Sequence, residues 1–598
     1  MKLIKQNKNT LLILAVSFAL SFFLYGNGIN GELVADEKLV ILRNPLVQDG
    51  PENLDDIFLN PYYYNQPHAG LYRPLTIATY ALNNFFSARP FGFHLINILL
   101  NALNAFLVFL AVSRISDRRT AFLSLILFSF LPIHTEAVSS IVGRAELLSF
   151  LFSLASLLLV FNKRYAWSSA ALLLGLLSKE TAAGFFPVFL YLWRFKEHKT
   201  LKQIFNNSLF FVPAVVVYAV LRYIALGKYF IGFDHLFAYN PLRFSSFFQS
   251  LWTSLKVFYL YLLKTFIPHQ LSSDYSFNQI PIIKNPYNYE IFFAMFVLAV
   301  LIWLTVKKRN NIYGLSALIF LSTYVLISNW FVKIGTIMGE RLMYAPSLGI
   351  VVIIAVLLNR LMLKRGTIEK ATCAILVIVF MVYGYIIIDR NKDWQNESSL
   401  IRSGYAASPK SVVSLTNMGF LAFNEKNYEE ASKWTSKALE ALPDHVPALY
   451  LYGHASKKRG DLRSAETAWE NIIKLNTGHV EAHLSLGILY YEQGLLNKAE
   501  LILEKGFQLE QTWGKAFPLA IVKISLDKYD ESIELIIDNF GLNPEKRELK
   551  FALGLAYLKK GDIEKADFYL KSVKDQSENI ENYFKKILNQ KVFKIEEY

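Results

Sequence analysis

About a dozen apolar runs, separated by short polar loops, fill the chain from near residue 10 to residue 388. They lie near 10–26, 93–113, 119–132, 147–162, 166–177, 183–195, 207–226, 248–268, 290–306, 312–331, 342–362 and 371–388. In lipid every backbone polar group must find its partner within the protein, so such a succession folds as spanning helices. Composition agrees: 53% of the 598 residues are hydrophobic and only 18% are charged. A mean hydropathy of +0.29 is too high for a soluble protein of this size. The 47 Phe and 33 Tyr suit lipid-facing packing and interfacial belts. Several runs are shorter than the roughly 20 residues that cross a bilayer alone, and these must tilt or extend into their polar flanks.

Basic residues set the orientation. Lys2/Lys5/Lys8, Arg114/Arg118/Arg119, Lys163/Arg164, Arg194/Lys196/Lys199/Lys202, Lys307/Lys308/Arg309 and Arg360/Lys364/Arg365 all belong on the cytoplasmic side. Alternating crossings satisfy every cluster if 248–268, which carries Lys256 and Lys264, is interfacial or re-entrant. About eleven crossings remain, which puts the C-terminal portion opposite the N-terminus. The net charge of +14 is then topological, and no nucleic-acid partner is expected. Basic Met1–Thr10 followed by Leu11–Tyr25 reads as an uncleaved signal anchor, because no small-x-small site follows. The single cysteine, Cys373, lies inside an apolar run and excludes a disulfide framework.

The same alternation gathers 27–92, 133–146, 178–183, 227–289, 332–341 and everything after 388 on the other face. Asp36-Glu37, Asp55-Asp56, His134/Glu136, Arg144/Glu146, Lys179-Glu180, Asp274 and Glu340-Arg341 all fall there, as a shared polar site requires. Asp36 and Glu37, just past the first span, either take a proton from an attacking hydroxyl or are solvated loop acids. Arg73, in Leu71-Tyr-Arg-Pro-Leu-Thr76, grips a phosphate or anchors at the interface. Arg144 binds an anionic leaving group, steadied by Glu136 or Glu146, or joins them in a structural ion pair. Lys179 is a phosphate contact or a snorkelling partner of Glu180. Glu340 and Arg341, with Tyr344 one turn on, form a phosphate headgroup site or an interfacial anchor. His134 has no second His or Cys at ligand spacing, so zinc is not expected. No Gly-rich loop opens a βα unit, which excludes a soluble nucleotide-sugar site on a doubly wound sheet. A donor carried on lipid would reach the site from within the bilayer.

Beyond residue 412 the pattern changes. Gly419, Gly453 and Gly487 recur at 34 residues, and Ala431, Ala465 and Ala499 follow each by twelve. Gly554/Ala566 repeats the spacing, with Ala520/Ser532 as a weaker copy. This period, with small residues where helices approach, marks about five tetratricopeptide repeats over 412–578, a surface for an acceptor or a partner protein. The domains expected are a transmembrane domain over 1–390 with its first loop at 27–92, a connector over 391–411, the repeats, and a tail over 579–598.

Tyr72-Arg-Pro-Leu-Thr76, Phe91-Gly-Phe-His-Leu-Ile-Asn97, Pro132-Ile-His-Thr-Glu-Ala-Val138, Gly143-Arg-Ala-Glu146 and Leu177-Ser-Lys-Glu180 run in order along the chain. Glu340-Arg-Leu-Met-Tyr-Ala-Pro-Ser-Leu-Gly349 and Arg390-Asn-Lys-Asp-Trp394 follow, before the repeats. In these motifs the chain resembles the transmembrane and tetratricopeptide-repeat O-mannosyltransferase family of the GT-C superfamily. The resemblance implies an all-α polytopic fold followed by an α-solenoid. It also implies an inverting transfer with Asp36 as base, from a polyprenyl or dolichyl phosphate sugar to Ser/Thr hydroxyls of extracytoplasmic proteins. Arg144, Lys179 and Arg341 would then face the donor phosphate, with no cofactor or divalent metal. The short repeat array and scarce cysteine suggest a prokaryotic member, in a bacterial or archaeal cytoplasmic membrane rather than the endoplasmic reticulum. Transfer of a whole glycan from a lipid diphosphate and a membrane-anchored scaffold are the rival readings. A transporter is disfavoured, because no inverted repeat or paired broken helices are evident.

Overall fold

The computed structural model describes residues 2–230 and 237–573. The expected tail over 579–598 and the last residues of the expected repeat region lie outside these. All regular elements among the described residues are helical. Two units divide after Ser414.

Among the described residues of the first unit, six helices are long and apolar enough to cross a membrane: Asn9–Gly28, Pro90–Ser113, Ile141–Phe161, Val212–Tyr229, Tyr289–Lys307 and Thr367–Trp394. They make this a multi-pass membrane protein. Arg118–Ser129 and Pro132–Ser139 form a further pair, bent by 57°. Tyr165–Ser178, Ile312–Tyr324 and Ser347–Met362 have 14, 13 and 16 residues. At 1.5 Å per residue they reach about 20–24 Å, short of the ~30 Å apolar thickness of a bilayer.

Some apolar runs are not single helices. The run over 312–331 stops being helical at Tyr324. Ser328 and Asn329 follow, and Asn329 enters the left-handed region at φ +59. Its side-chain amide donates to the carbonyls of Thr336 and Ile337, offering the backbone an alternative to the helical ladder. The run over 183–195 starts with a 3-10 stretch, Glu180–Phe185, and passes through Phe186–Tyr191 into a π turn, Leu192–Lys196. The aromatic segment near 248–268 is one continuous 20-residue helix, Phe247–Phe266, opened by a Ser246/Gln249 capping box. Its Lys256 is paired with Glu290 of the neighbouring helix at 2.9 Å.

Between the first two spans the chain builds a small body of its own. Short helices Pro45–Gln48 and Leu54–Leu59 and the longer Pro74–Phe86 enclose Val40, Ile41, Val47, Ile57, Ile77 and Tyr80. Pro45 and Pro74 each sit at a first helical position, where the missing N–H is harmless. A loop with its own core can hold a side chain in a fixed place.

The second unit is an array of paired helices. In four pairs the first helix carries a glycine that meets a side chain of the second helix sixteen positions later. A Cβ on Gly453 would lie 2.6 Å from Trp469, and one on Gly487 or Gly554 2.5 Å from Leu503 or Leu570. Close approach thus explains why glycine recurs in helices that it otherwise weakens. In the weaker copy, Ala520 takes the glycine's place and the Ser532 hydroxyl donates to its carbonyl at 3.2 Å.

Candidate functional site

The segment Gly31–Lys38 leaves the first span and turns sharply. Ala35 is held at φ +48, a left-handed conformation that L residues other than Asn and Asp rarely adopt. The next residue, Asp36, is exposed. Glu37 points the other way and is buried, 1% exposed. Its carboxylate accepts from the Val34 N–H at 3.0 Å, the Ile141 N–H at 2.6 Å and the Ser140 hydroxyl at 3.1 Å. Glu37 therefore ties the Asp36 turn to the start of the Ile141–Phe161 span.

Burial, aided by the adjacent Asp36, raises Glu37 to about 7 against those hydrogen bonds. The folded chain then keeps a proton that the unfolded chain releases near 4.5. This stabilising term is fully present below that value and is lost as pH rises through 7, about 3 kcal/mol between the limits. Glu37→Gln is expected to flatten this part of the melting-temperature profile between pH 4.5 and 7.5, read by thermal unfolding of the purified protein.

Around Asp36 three cations are each paired with a carboxylate from another segment. Arg341 Nη1 lies 2.5 Å from Glu136 Oε1, and its backbone N–H donates to Glu136 Oε2 at 2.9 Å. Lys179 pairs with Glu146. Arg73 Nη2 lies 3.0 Å from Glu180 Oε1, with its guanidinium 5.3 Å from the centre of the Tyr62 ring. These pairs sense one another. Glu136 foremost holds Arg341 above its ordinary range, with Asp36 and Glu146 adding to the effect. Burial pulls Lys179 down; Glu146 opposes this, and Arg73 and Arg341 reinforce it. Burial would raise Glu180, but Arg73 and Lys179 outweigh it and hold the carboxyl at about 2.

One site thus draws on four loops: Asp36 and Arg73 from the first, Glu136 and Glu146 from the second, Lys179 and Glu180 from the third, and Arg341 from the fourth. Arg341 is the most open of the three cations, its side chain 34% exposed against 13% for Arg73 and 6% for Lys179.

Four other residues read as substrate contacts are built into the protein. Arg144 is fully buried and donates to Asn97, Asn83 and the Thr79 and Phe93 carbonyls, with its guanidinium 4.6 Å from the Tyr80 ring centre. Four of its five N–H donors are spent, so it braces the first loop against the span and does not open to the cleft. His134 is buried between Phe128 and Tyr344, and its Nε2 lies 2.8 Å from the Ser347 hydroxyl. Tyr344 donates to Asn101 at 2.7 Å in the same core. Glu340 is fully buried, accepting from the Tyr275 hydroxyl at 2.5 Å, the Ser272 N–H at 2.6 Å and Arg390 at 3.1 Å. Gly143 permits this packing, since any Cβ would strike the Ala137 backbone.

The structure adds residues that the motifs did not supply. The Tyr63 hydroxyl donates to Asp36 Oδ2 at 3.2 Å. Burial, with Asp36 beside it, holds that phenol protonated as a donor. Tyr62 stacks edge-on against Tyr63, and burial, with Asp36 and Asp274 adding to it, raises the Tyr239 phenol above its ordinary range. The aromatic run Asn60–Tyr64 was the available signal. Among the described residues no three His, Cys, Asp or Glu side chains converge in a way that could hold a metal ion.

Residues 450–507 and 548–580 match the tetratricopeptide repeat family. Over 447 residues the chain is 30% identical to protein O-mannosyl-transferase F38B6.6 of Caenorhabditis elegans, covering 70% of this chain and 62% of that protein. It is 23% identical over 563 residues to protein O-mannosyl-transferase TMTC3 of Mus musculus, covering 84% and 60%. The chain thus spans less than two thirds of the length of these curated relatives. Among solved structures it is similar to YrrB, described as a TPR protein with an unusual peptide-binding site. That match has 17% identity over 31% of this chain and 97% of that one, with a TM-score of 0.28.

Proposed function

Because the chain belongs to the transmembrane and tetratricopeptide-repeat O-mannosyltransferase family, we propose that it is a membrane glycosyltransferase of the GT-C kind. In this reading it moves a single hexose, mannose by kinship, from a polyprenyl phosphate carrier to Ser or Thr hydroxyls of extracytoplasmic proteins. The observation that carries the reading is the exposed Asp36 carboxylate, oriented by Tyr63 and set among Arg73, Lys179 and Arg341.

Asp36 accepts the acceptor hydroxyl's proton as the oxygen attacks the anomeric carbon, which inverts that centre. The bond to the carrier phosphate breaks, and negative charge grows on the departing phosphate oxygen. Arg341, the most open cation, contacts that charge, while the more buried Lys179 and Arg73 stabilise it through their field. Glu136, Glu146 and Glu180 keep the three cations charged and fixed, so little reorganisation is needed as charge moves. The N-terminus is cytoplasmic, and the site and the repeats face the other side of the membrane. The repeats hold the acceptor protein or a partner.

Mass spectrometry of extracytoplasmic proteins from cells with and without the gene tests the reading. Single hexoses on Ser or Thr that vanish with the gene support it. Loss of long glycans would instead favour transfer from a lipid diphosphate, and an unchanged glycoprotein profile would reject protein glycosylation.

A further inference from the structure

Residues Asn391–Leu400, from the end of the last span onward, cradle the turn that presents Asp36. The Asn391 amide donates to the Leu24 carbonyl at 2.7 Å and to Asn27 Oδ1 at 2.6 Å, closing the exit of the first span. Ser139 donates to Asn391 Oδ1 at 2.8 Å and brings in the Glu136 segment. Gly31 runs so close that a Cβ there would lie 2.7 Å from the Trp394 carbonyl. The Glu32 N–H donates to the Gln395 carbonyl at 2.9 Å. Val34 is buried against Trp394 and Leu400. Glu397 then closes the cradle, its Oε2 accepting from the Lys38 ammonium at 2.5 Å and from the Ala35 N–H at 3.4 Å.

These contacts bracket Asp36 on both sides, at residues 31, 32, 34, 35 and 38, and leave its own carboxylate open. Ala35 stands at the centre, in a backbone conformation that persists only when its surroundings impose it. The geometry points to Glu397 as a positioning residue for Asp36. One carboxylate oxygen holds both the strained Ala35 amide and Lys38, and so fixes the direction in which the intervening side chain leaves the loop. The inference rests on the reading of Asp36 as base, and it gives the Arg390–Trp394 motif and its sequel a catalytic purpose that no substrate contact supplies.

The test uses the purified full chain with synthetic polyprenyl phosphate mannose and a Thr-containing peptide. Glu397→Ala is expected to lower kcat about a hundredfold, the scale of a misplacement of about 1 Å, with KM for the donor unchanged. Glu397→Gln keeps an oxygen for the Ala35 N–H and is expected to retain most of kcat. The decisive variant joins Glu397→Ala to Ala35→Gly. Glycine enters the left-handed region without the Cβ penalty, so most of the lost kcat should return. A purely structural role for Glu397 predicts no such rescue. Wild-type kcat in Glu397→Ala, or a loss that Ala35→Gly does not restore, overturns the proposal. Asp36→Asn, assayed alongside, separates the two ideas: transfer retained there removes the base itself. An inactive Asp36→Asn beside a fully active Glu397→Ala removes only the positioning role.

Discussion

Asp36→Asn is expected to reduce single-hexose transfer by about three to four orders of magnitude, the upper range for loss of a general base. The amide has the carboxylate's shape, and its oxygen can still accept from Tyr63, which now lies 3.2 Å from Asp36. Only the capacity to take a proton is lost. Because Asp36 is exposed, and the fold holds this turn through its neighbours, membrane insertion and melting temperature should not change. The measurement is kcat with polyprenyl phosphate mannose and a Thr peptide, beside a thermal melt of the same preparation. An inactive variant that melts early would mean the turn had collapsed; a stable variant with normal kcat would remove Asp36 from the chemistry.

Glu340→Ala should behave in the opposite way. It removes the acceptor for Ser272, Tyr275 and Arg390 and leaves a guanidinium 8% exposed with Asp393 as its remaining carboxylate, beside the Leu271 carbonyl. Arginine cannot shed its charge, so breaking such a pair costs about 3–5 kcal/mol. The expected result is a large fall in melting temperature and in yield from the membrane. Protein that still folds should keep its KM for the donor, because Glu340 does not open to the cleft. A normal melt would show that Arg390 finds other partners and that the network is dispensable.

These two variants show what the sequence could and could not reveal. Charge in an apolar surrounding is costly, so loop ionisables were legible as a group, and the alternating basic clusters assigned them to one face. That logic gathers Asp36, Glu136, Glu146, Lys179, Glu180 and Arg341 without coordinates, whereas Arg73 stands out only by its own motif. It could not separate adjacent residues with opposite directions. Asp36 and Glu37 differ by one position, yet the left-handed Ala35 sends one outward while the other turns in to Ile141. Arg341 and Glu340 divide in the same way. Arg144 has the residue type and the depth of a phosphate ligand, but Asn83, Asn97 and two distant carbonyls consume its donors, and no spacing rule foretells that. Tyr63 was hidden for a different reason: a tyrosine near an interface is common enough that only its distance from Asp36 distinguishes it. The repeats were the most legible part, since a 34-residue period and the closeness of Gly487 to Leu503 express one geometric constraint.

The pairing of every site cation with a carboxylate of the protein bears on turnover. Glu136, Glu146 and Glu180 already compensate Arg341, Lys179 and Arg73, so an anion entering this cleft meets these cations as ion pairs. In the proposed reaction such a cleft would hold the departing phosphate less tightly than three unpaired cations would, which favours release of the spent carrier.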